Sequence, residues 1–489
     1  MLALALFLAQ AAAPAPLPAG RLTLAQAEPL SSLSSPSSPP SSSSSPPQPA
    51  LTTLPDPLAE TLAKAGLVQA AVPRWAAVAR GTGAAAQAAF AALVTLAERD
   101  PTLVADVAAL PGDLRIAPAP LRLAIARERL DAGLALEAEG RSDDARAAYQ
   151  RAAEAAAGLE DLPARDLAGR AALALGDLAG AHAQFEAIVA ATKGSAAPAR
   201  EQALLQLARV AYGSGRDESA LGYYARVPRD GDAWLTALFE ASWAHLRAGD
   251  HERALGNLLT LHSPFFAGRV DPESYILEAI VYFENCRYEE ARAILAKFEA
   301  DEAPVRTALA KVLAEVPTPL AGYELVRDVR ARGAAAVGGL AAPAVERAAA
   351  APEVPPLLAA IAESEREGDL LDGRSLHLAP EALYRTSGDL RERRATLIDR
   401  VGSLARARVG AEERELAELL SQSLRIRFET SGREKERLEK AGGAPEGMRD
   451  YRYSVAVADD EVYWPWDGEY WRDELGTYEY TLTRGCKAK

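Results

Sequence analysis

Cysteine and histidine are nearly missing from this chain: its 489 residues include two of the first and five of the second. Two cysteines cannot build a disulfide scaffold or a cysteine-based zinc site. Five histidines, at 182, 245, 251, 262 and 377, leave little material for metal or general-base chemistry that relies on imidazole. Positive charge is also short. Against 68 Asp plus Glu stand 54 Lys plus Arg, a net charge of -14, the opposite of a nucleic-acid binder's basic footprint. No glycine-rich nucleotide loop opens a helix, His251 and Glu252 lack the second histidine of a zinc-protease helix, and there is no Gly-x-Ser-x-Gly elbow. No cofactor, no metal, no enzymatic activity and no nucleic-acid partner are therefore expected. What remains is a soluble balance, 49% hydrophobic and 25% charged, in a chain long enough for two or three units that bury cores.

Long apolar runs are absent apart from Leu2 to Ala9, which the prolines at 14, 16 and 18 stop well short of the roughly 20 residues a membrane helix needs. No integral membrane span is expected. The short run, followed by Ala-x-Ala triplets at 9–11 and 25–27, reads as a signal peptide over residues 1–27, although no Lys or Arg precedes it. No cysteine occurs before Cys286, so a lipid-attachment site of the bacterial lipoprotein type is not expected. The product is expected in the periplasm or outside the cell. Residues 28–57 read as a linker: positions 31–50 alone hold 11 Ser and 6 Pro, with no charge and no aromatic ring. Such a composition cannot offset its ordering entropy by burial.

From residue 58 to 332, apolar residues recur at three and four, and Gly and Pro fall mainly between the periodic segments, so an all-α body is expected. It carries an internal period. A turn residue, an alanine five positions on and a bulky apolar residue four beyond that recur as Gly140, Ala145, Tyr149; Gly176, Ala181, Phe185; Gly215, Ala220, Tyr224; Gly249, Ala254, Leu258; and Cys286, Ala291, Leu295. Successive alanines are 36, 39, 34 and 37 residues apart. The pattern resembles the tetratricopeptide repeat, whose period is about 34 residues. The spacing has a physical reason: glycine ends the first helix, the alanine lets the second approach, and the bulky residue fills the groove between them. Gly133, Gly169, Ala208, Ser242 and Ala279 are the small residues at the matching place on the first helices. The resemblance implies a helical solenoid whose concave surface binds protein or peptide.

Flanking helices are expected at about 84–99, 305–316 and 319–332. Residues 333–380, which open with a stretch rich in Ala, Gly and Pro, read as a hinge, and 381–442 as one long helix or a helical hairpin. Gly388, Gly402 and Gly410 interrupt its apolar stripe, which favours the hairpin. Cys286 occupies the place of a turn glycine. Its pairing with Cys486 is left open, with two unpaired thiols as the default.

Residues 443–489 form a tail of another kind. Nine of the chain's 30 aromatic residues lie between 451 and 480. The alternating stretches 451–457 and 477–482 predict two strands of a small β-hairpin, with a turn at Asp467 and Gly468. Two readings stand side by side. Tyr451, Tyr453, Tyr478 and Tyr480 would clamp the ribbon to the helices, while Trp464, Trp466, Asp467, Tyr470 and Trp471 would form a recognition patch for a partner. The acidic residues of this region, among them Asp459, Asp460, Glu461, Glu469, Asp473 and Glu474, match no calcium-loop spacing.

Soluble lytic transglycosylases are similar in their alanine-rich helical superhelix, but they add a lysozyme-like domain with a catalytic Glu-Ser pair. The nearest pair after the repeats is Glu363 and Ser364, without that domain's glycine-rich continuation. The export signal, the repeats and the stretch Trp464 to Gly476 resemble periplasmic repeat proteins of bacterial gliding-motility and envelope-spanning machines. The function this implies is a non-enzymatic periplasmic scaffold or adaptor that holds protein or peptide partners of the cell envelope. The alternative is a peptidoglycan-associated or lytic-transglycosylase-like protein whose aromatic tail binds glycan.

Overall fold

A computed structural model describes residues 56–195, 197–373, 378–440, 468–480 and 482. Eighteen α-helices run through them, and no strand occurs among the described residues. The protein is all-α. In chain order the helices are α1 Pro57–Lys64, α2 Val68–Ala79, α3 Ala84–Ala97, α4 Val104–Ala108, α5 Ala119–Ala138, α6 Ser142–Ala156, α7 Leu162–Ala174, α8 Leu178–Ala191, α9 Pro198–Gly213, α10 Asp217–Tyr224, α11 Trp234–Arg247, α12 His251–Leu261, α13 Glu273–Glu284, α14 Tyr288–Glu315, α15 Pro319–Arg332, α16 Ala342–Ala349, α17 Val354–Asp372 and α18 Pro380–Lys440.

The chain divides into two compact units. The first comprises residues 56–188 with 308–412, and the second the described residues of 189–307 with 413–482. In the first, Asp56 opens α1 by accepting the Leu58 and Ala59 N–H groups at 3.0 Å each, with Pro57 at a position where its missing N–H costs nothing. Asp161 caps α7 in the same way through Ala164 N–H, 2.9 Å. Buried leucines and alanines of α1 to α7, joined by Leu371 and Leu390, make one core. In the second unit, Phe239, Leu258, Leu277 and Val281 centre one cluster, and Ile280, Leu295, Phe298, Leu419 and Ile426 another.

The turns before α6, α8, α10 and α12 each use a glycine in the left-handed region, with φ of 77, 82, 71 and 77° at Gly140, Gly176, Gly215 and Gly249. Cys286 fills the fifth such turn with φ 58°. Ala145, Ala181, Ala220, Ala254 and Ala291 are buried, as are Tyr149, Phe185, Tyr224, Leu258 and Leu295. In the first unit the small residue of one helix faces the large one of the next. A Cβ added to Gly133 would enter the Tyr149 ring, and one added to Gly169 would lie 2.7 Å from Phe185 Cζ.

That contact yields a signed prediction. Gly169→Ala gains about 1 kcal/mol of helix propensity but overpacks against a Phe185 that is 0% exposed and has no room to retreat. Overpacking costs about 1–3 kcal/mol, so the urea midpoint should fall, and Gly169→Ala with Phe185→Leu should recover most of the loss. A rise in midpoint for the single variant would show that the ring can move.

Three expectations need correction. The helix expected at 305–316 is the end of α14, which runs on through Pro304. The expected hinge holds α16 and the whole of α17. Pro343, Pro355 and Pro356 sit in first turns, where they start helices, and Val345, Ala348, Leu357 and Ile361 are buried. Of the two readings of 381–442, the favoured hairpin is corrected: α18 is one continuous helix over Pro380–Lys440. Gly402 marks a crossing there: a Cβ would collide with the Pro319 carbonyl, and one on Gly322 would come within 2.6 Å of the Gly402 oxygen. The two glycines let the backbones of α15 and α18 touch.

Candidate functional site

In the second unit, α12 starts at Asp250, whose side chain accepts the Arg253 N–H at 3.2 Å. Ala254, Leu255, Leu258 and Leu261 turn inward. Glu252, Gly256 and Thr260 are spaced by four and so share another face of the helix. Residues 476–480 and 482 lie along that face in the reverse direction. Gly476 N–H donates to Thr260 Oγ1 at 2.9 Å, Tyr480 N–H to the Glu252 carbonyl at 3.2 Å, and Leu482 N–H to Glu252 Oε1 at 3.1 Å. Glu479 reaches Arg253 at 3.3 Å across an exposed pair.

Burial along the segment alternates: Gly476, Tyr478 and Tyr480 are partly covered, whereas Thr477 and Glu479 are exposed. Tyr480 and Leu482 pack on the cluster around Leu258. The Tyr480 ring meets Tyr282 edge-on at 6.1 Å. Burial pushes the Tyr282 phenol well above its ordinary range, and Glu278 and Tyr480 push it further. The strand expected at 477–482 is thus an extended segment without a strand partner among the described residues, because side chains and a carbonyl of α12 take its amide hydrogens. The companion strand at 451–457 lies outside the described residues.

Of the expected recognition residues, Trp464, Trp466 and Asp467 also lie outside the described residues. Tyr470 is half-buried against the Tyr478 ring, 6.5 Å edge-on, and Trp471 N–H donates to the Tyr478 hydroxyl at 3.2 Å. The Trp471 side chain is 55% exposed. Of the residues expected in the clamp, Tyr480 packs on the cluster that includes Leu258 of α12, whereas Tyr478 brings its backbone carbonyl to α12 and its ring to Tyr470. Tyr451 and Tyr453 are outside the described residues.

Beside this groove sits a polar trio that no motif signalled. His262 Nε2 lies 2.8 Å from Ser274 Oγ, its Nδ1 lies 2.8 Å from Glu278 Oε2, and its ring stacks on Tyr275 at 4.0 Å. The order matches a serine nucleophile, its base and its orienting acid, but the polarity does not. Ser274 Oγ donates to the Asp271 carbonyl at 2.6 Å, so His262 Nε2 donates to the hydroxyl in place of accepting its proton. Ser274 is also fully buried. The trio fastens the end of α12 to the start of α13. Its residues come from a cap and a helix interior 16 positions apart, which is why no local signature shows it.

In the first unit Glu363 pairs with Arg366, and Ser364 is buried with its hydroxyl donating to the Ala360 carbonyl at 2.8 Å. They face different partners. Among the described residues no group of three or more His, Cys, Asp or Glu side chains is placed to hold a metal ion, and no helix is long and apolar enough to cross a membrane. The expectation of unpaired thiols is corrected: Cys286 is disulfide-bonded, and the sequence's one other cysteine, Cys486, lies outside the described residues. No family model matches the chain, and no curated protein matches it.

Proposed function

We propose that the chain is a non-enzymatic scaffold, a tetratricopeptide-like solenoid that holds protein or peptide partners in a bacterial cell-envelope machine of the kind that drives gliding motility. The observation that carries this reading is the tail segment, residues 476–480 and 482, seated along α12 by three backbone N–H donations. A helical-repeat surface able to bind extended polypeptide in this way needs no catalytic group. The recurring turn, small residue and bulky residue support the repeat assignment, and the disulfide at Cys286 supports a periplasmic or extracellular location, since such bonds persist in oxidising compartments.

The test is a photo-crosslinking residue in place of Arg253, which is 60% exposed at the groove's edge. In cells the full chain should give an adduct whose second component is another polypeptide. Adducts confined to the chain's own tail, together with turnover of peptidoglycan by the purified protein, would replace the scaffold with the glycan-acting alternative.

A further inference from the structure

The α12 groove has two features that a merely packed tail does not need. Gly256 interrupts a helix interior, where glycine is a poor former, and the backbone of the tail occupies the space its side chain would take. A Cβ on Gly256 would collide with the Tyr478 carbonyl oxygen, and the carbonyl carbon would be 2.6 Å away. Across the groove, Gly476 has φ 82°, and a Cβ there would lie 2.6 Å from Trp234 Cζ2. Gly256 thus brings main chain against main chain, and Gly476 lets the segment pass close to the Trp234 ring. The polar contacts are almost all to the backbone of the segment: Thr260 and Glu252 read its amides, while alternate side chains, Tyr480 and Leu482, enter the apolar cluster. Recognition of main chain plus alternate side chains specifies an extended conformation and a period of two, not one particular sequence.

We infer that the α12 face carrying Glu252, Gly256 and Thr260 is a binding track for an extended polypeptide with large apolar residues at two alternate positions and an acidic residue just before the first, and that residues 476–480 and 482 fill it in cis until such a partner segment displaces them. The acidic position follows from Arg253, which pairs with Glu479 between Tyr478 and Tyr480. This inference rests on the scaffold reading and adds to it where the partner binds and what displaces the occupant. Few side chains anchor the segment, and the Arg253–Glu479 pair is solvent-exposed, so exchange with a competitor needs no unfolding of the helices.

The experiment uses the full chain and a fluorescent peptide with the sequence of residues 474–484. Tyr480→Ala with Leu482→Ala loosens the resident tail and leaves the track intact. The peptide should bind this variant at least tenfold more tightly than the wild-type chain. Adding Gly256→Ala, which favours the helix but blocks the backbone, should weaken that binding at least tenfold with helix content unchanged. Equal affinity for the wild-type and loosened chains, or indifference to Gly256→Ala, would overturn the track. A second measurement does not depend on the loosened variant: Gly256→Ala alone should speed amide hydrogen exchange at Gly476 and Tyr480 at least tenfold, and unchanged exchange is equally fatal. A chain that passes both tests yet gives no intermolecular crosslink would keep the track and lose the scaffold. One that crosslinks a partner but fails here would keep the scaffold and lose the track.

Discussion

Replacing Glu240 with alanine should destabilise the second unit by about 3–5 kcal/mol, the usual loss when one partner of a buried ion pair is removed. Arg209, on α9, has a side chain that is 8% exposed, and it grips Glu240 of α11 through Nη2 at 2.6 Å and Nε at 3.0 Å to both oxygens. The Tyr224 hydroxyl of α10 donates to the same carboxylate at 3.1 Å. Burial acts to lower the Arg209 pKa, and Glu240 more than reverses it, so the net direction is upward. Without the carboxylate the guanidinium stays charged with no way to shed its proton. Glu240→Gln, which keeps the shape and an acceptor, should cost less than alanine. Arg209→Met with Glu240→Leu should be closer to wild type than Glu240→Ala, because no lone charge is left behind. Urea unfolding of the four proteins decides it. A loss below about 1 kcal/mol for Glu240→Ala would mean that Arg209 reaches water.

The network shows where sequence reading succeeds and where it stops. Tyr224, which is buried, is legible as the bulky member of a recurring pattern of turn residue, alanine and large apolar residue at fixed offsets. The same logic exposed the slot at Cys286, where a left-handed turn carries a non-glycine residue. Arg209 and Glu240 gave no such signal, since a charge on an amphipathic helix reads the same whether it faces solvent or a partner 31 residues away. Proline and glycine misled in the opposite direction. Pro304 sits inside α14 with buried Phe298 and Leu309 on either side of it, and Gly402, read as an interruption, is a contact point between helices. Residues read as breakers from the local chain are settled here by tertiary packing.

The tail illustrates the same limit. The period of two at 477–482 says which residues turn inward and not what they turn toward. A β-hairpin and a helix groove both satisfy it. The deciding residue is Gly256, some 220 positions away, whose missing side chain makes room for the Tyr478 carbonyl.

Glu367 should make the first unit less stable as pH rises from 5 to 8. Helix α2 has no side-chain cap of its own. The Glu367 carboxylate of α17, fully buried, accepts the Gln69 and Ala70 N–H groups at 2.8 Å each and caps α2 from a distance. Burial raises its pKa to about 7, the two backbone donors opposing the rise. A carboxyl that titrates near 4.3 in the unfolded chain and higher in the fold binds its proton more tightly when folded. Its contribution is then fully present below about pH 4 and is lost as pH climbs through 7, up to about 3 kcal/mol in all. Glu367→Gln removes the titration and should flatten the fall in urea midpoint. A smaller slope should remain from Asp131 in the same unit, raised to about 6 by burial and by Glu353. Glu367→Ala is the severe change: two buried N–H groups lose their acceptor, at about 1–3 kcal/mol apiece, and the midpoint should drop at every pH. A Gln variant that keeps the full slope would place the titrating group elsewhere, and an Ala variant with wild-type stability would show that water replaces the cap.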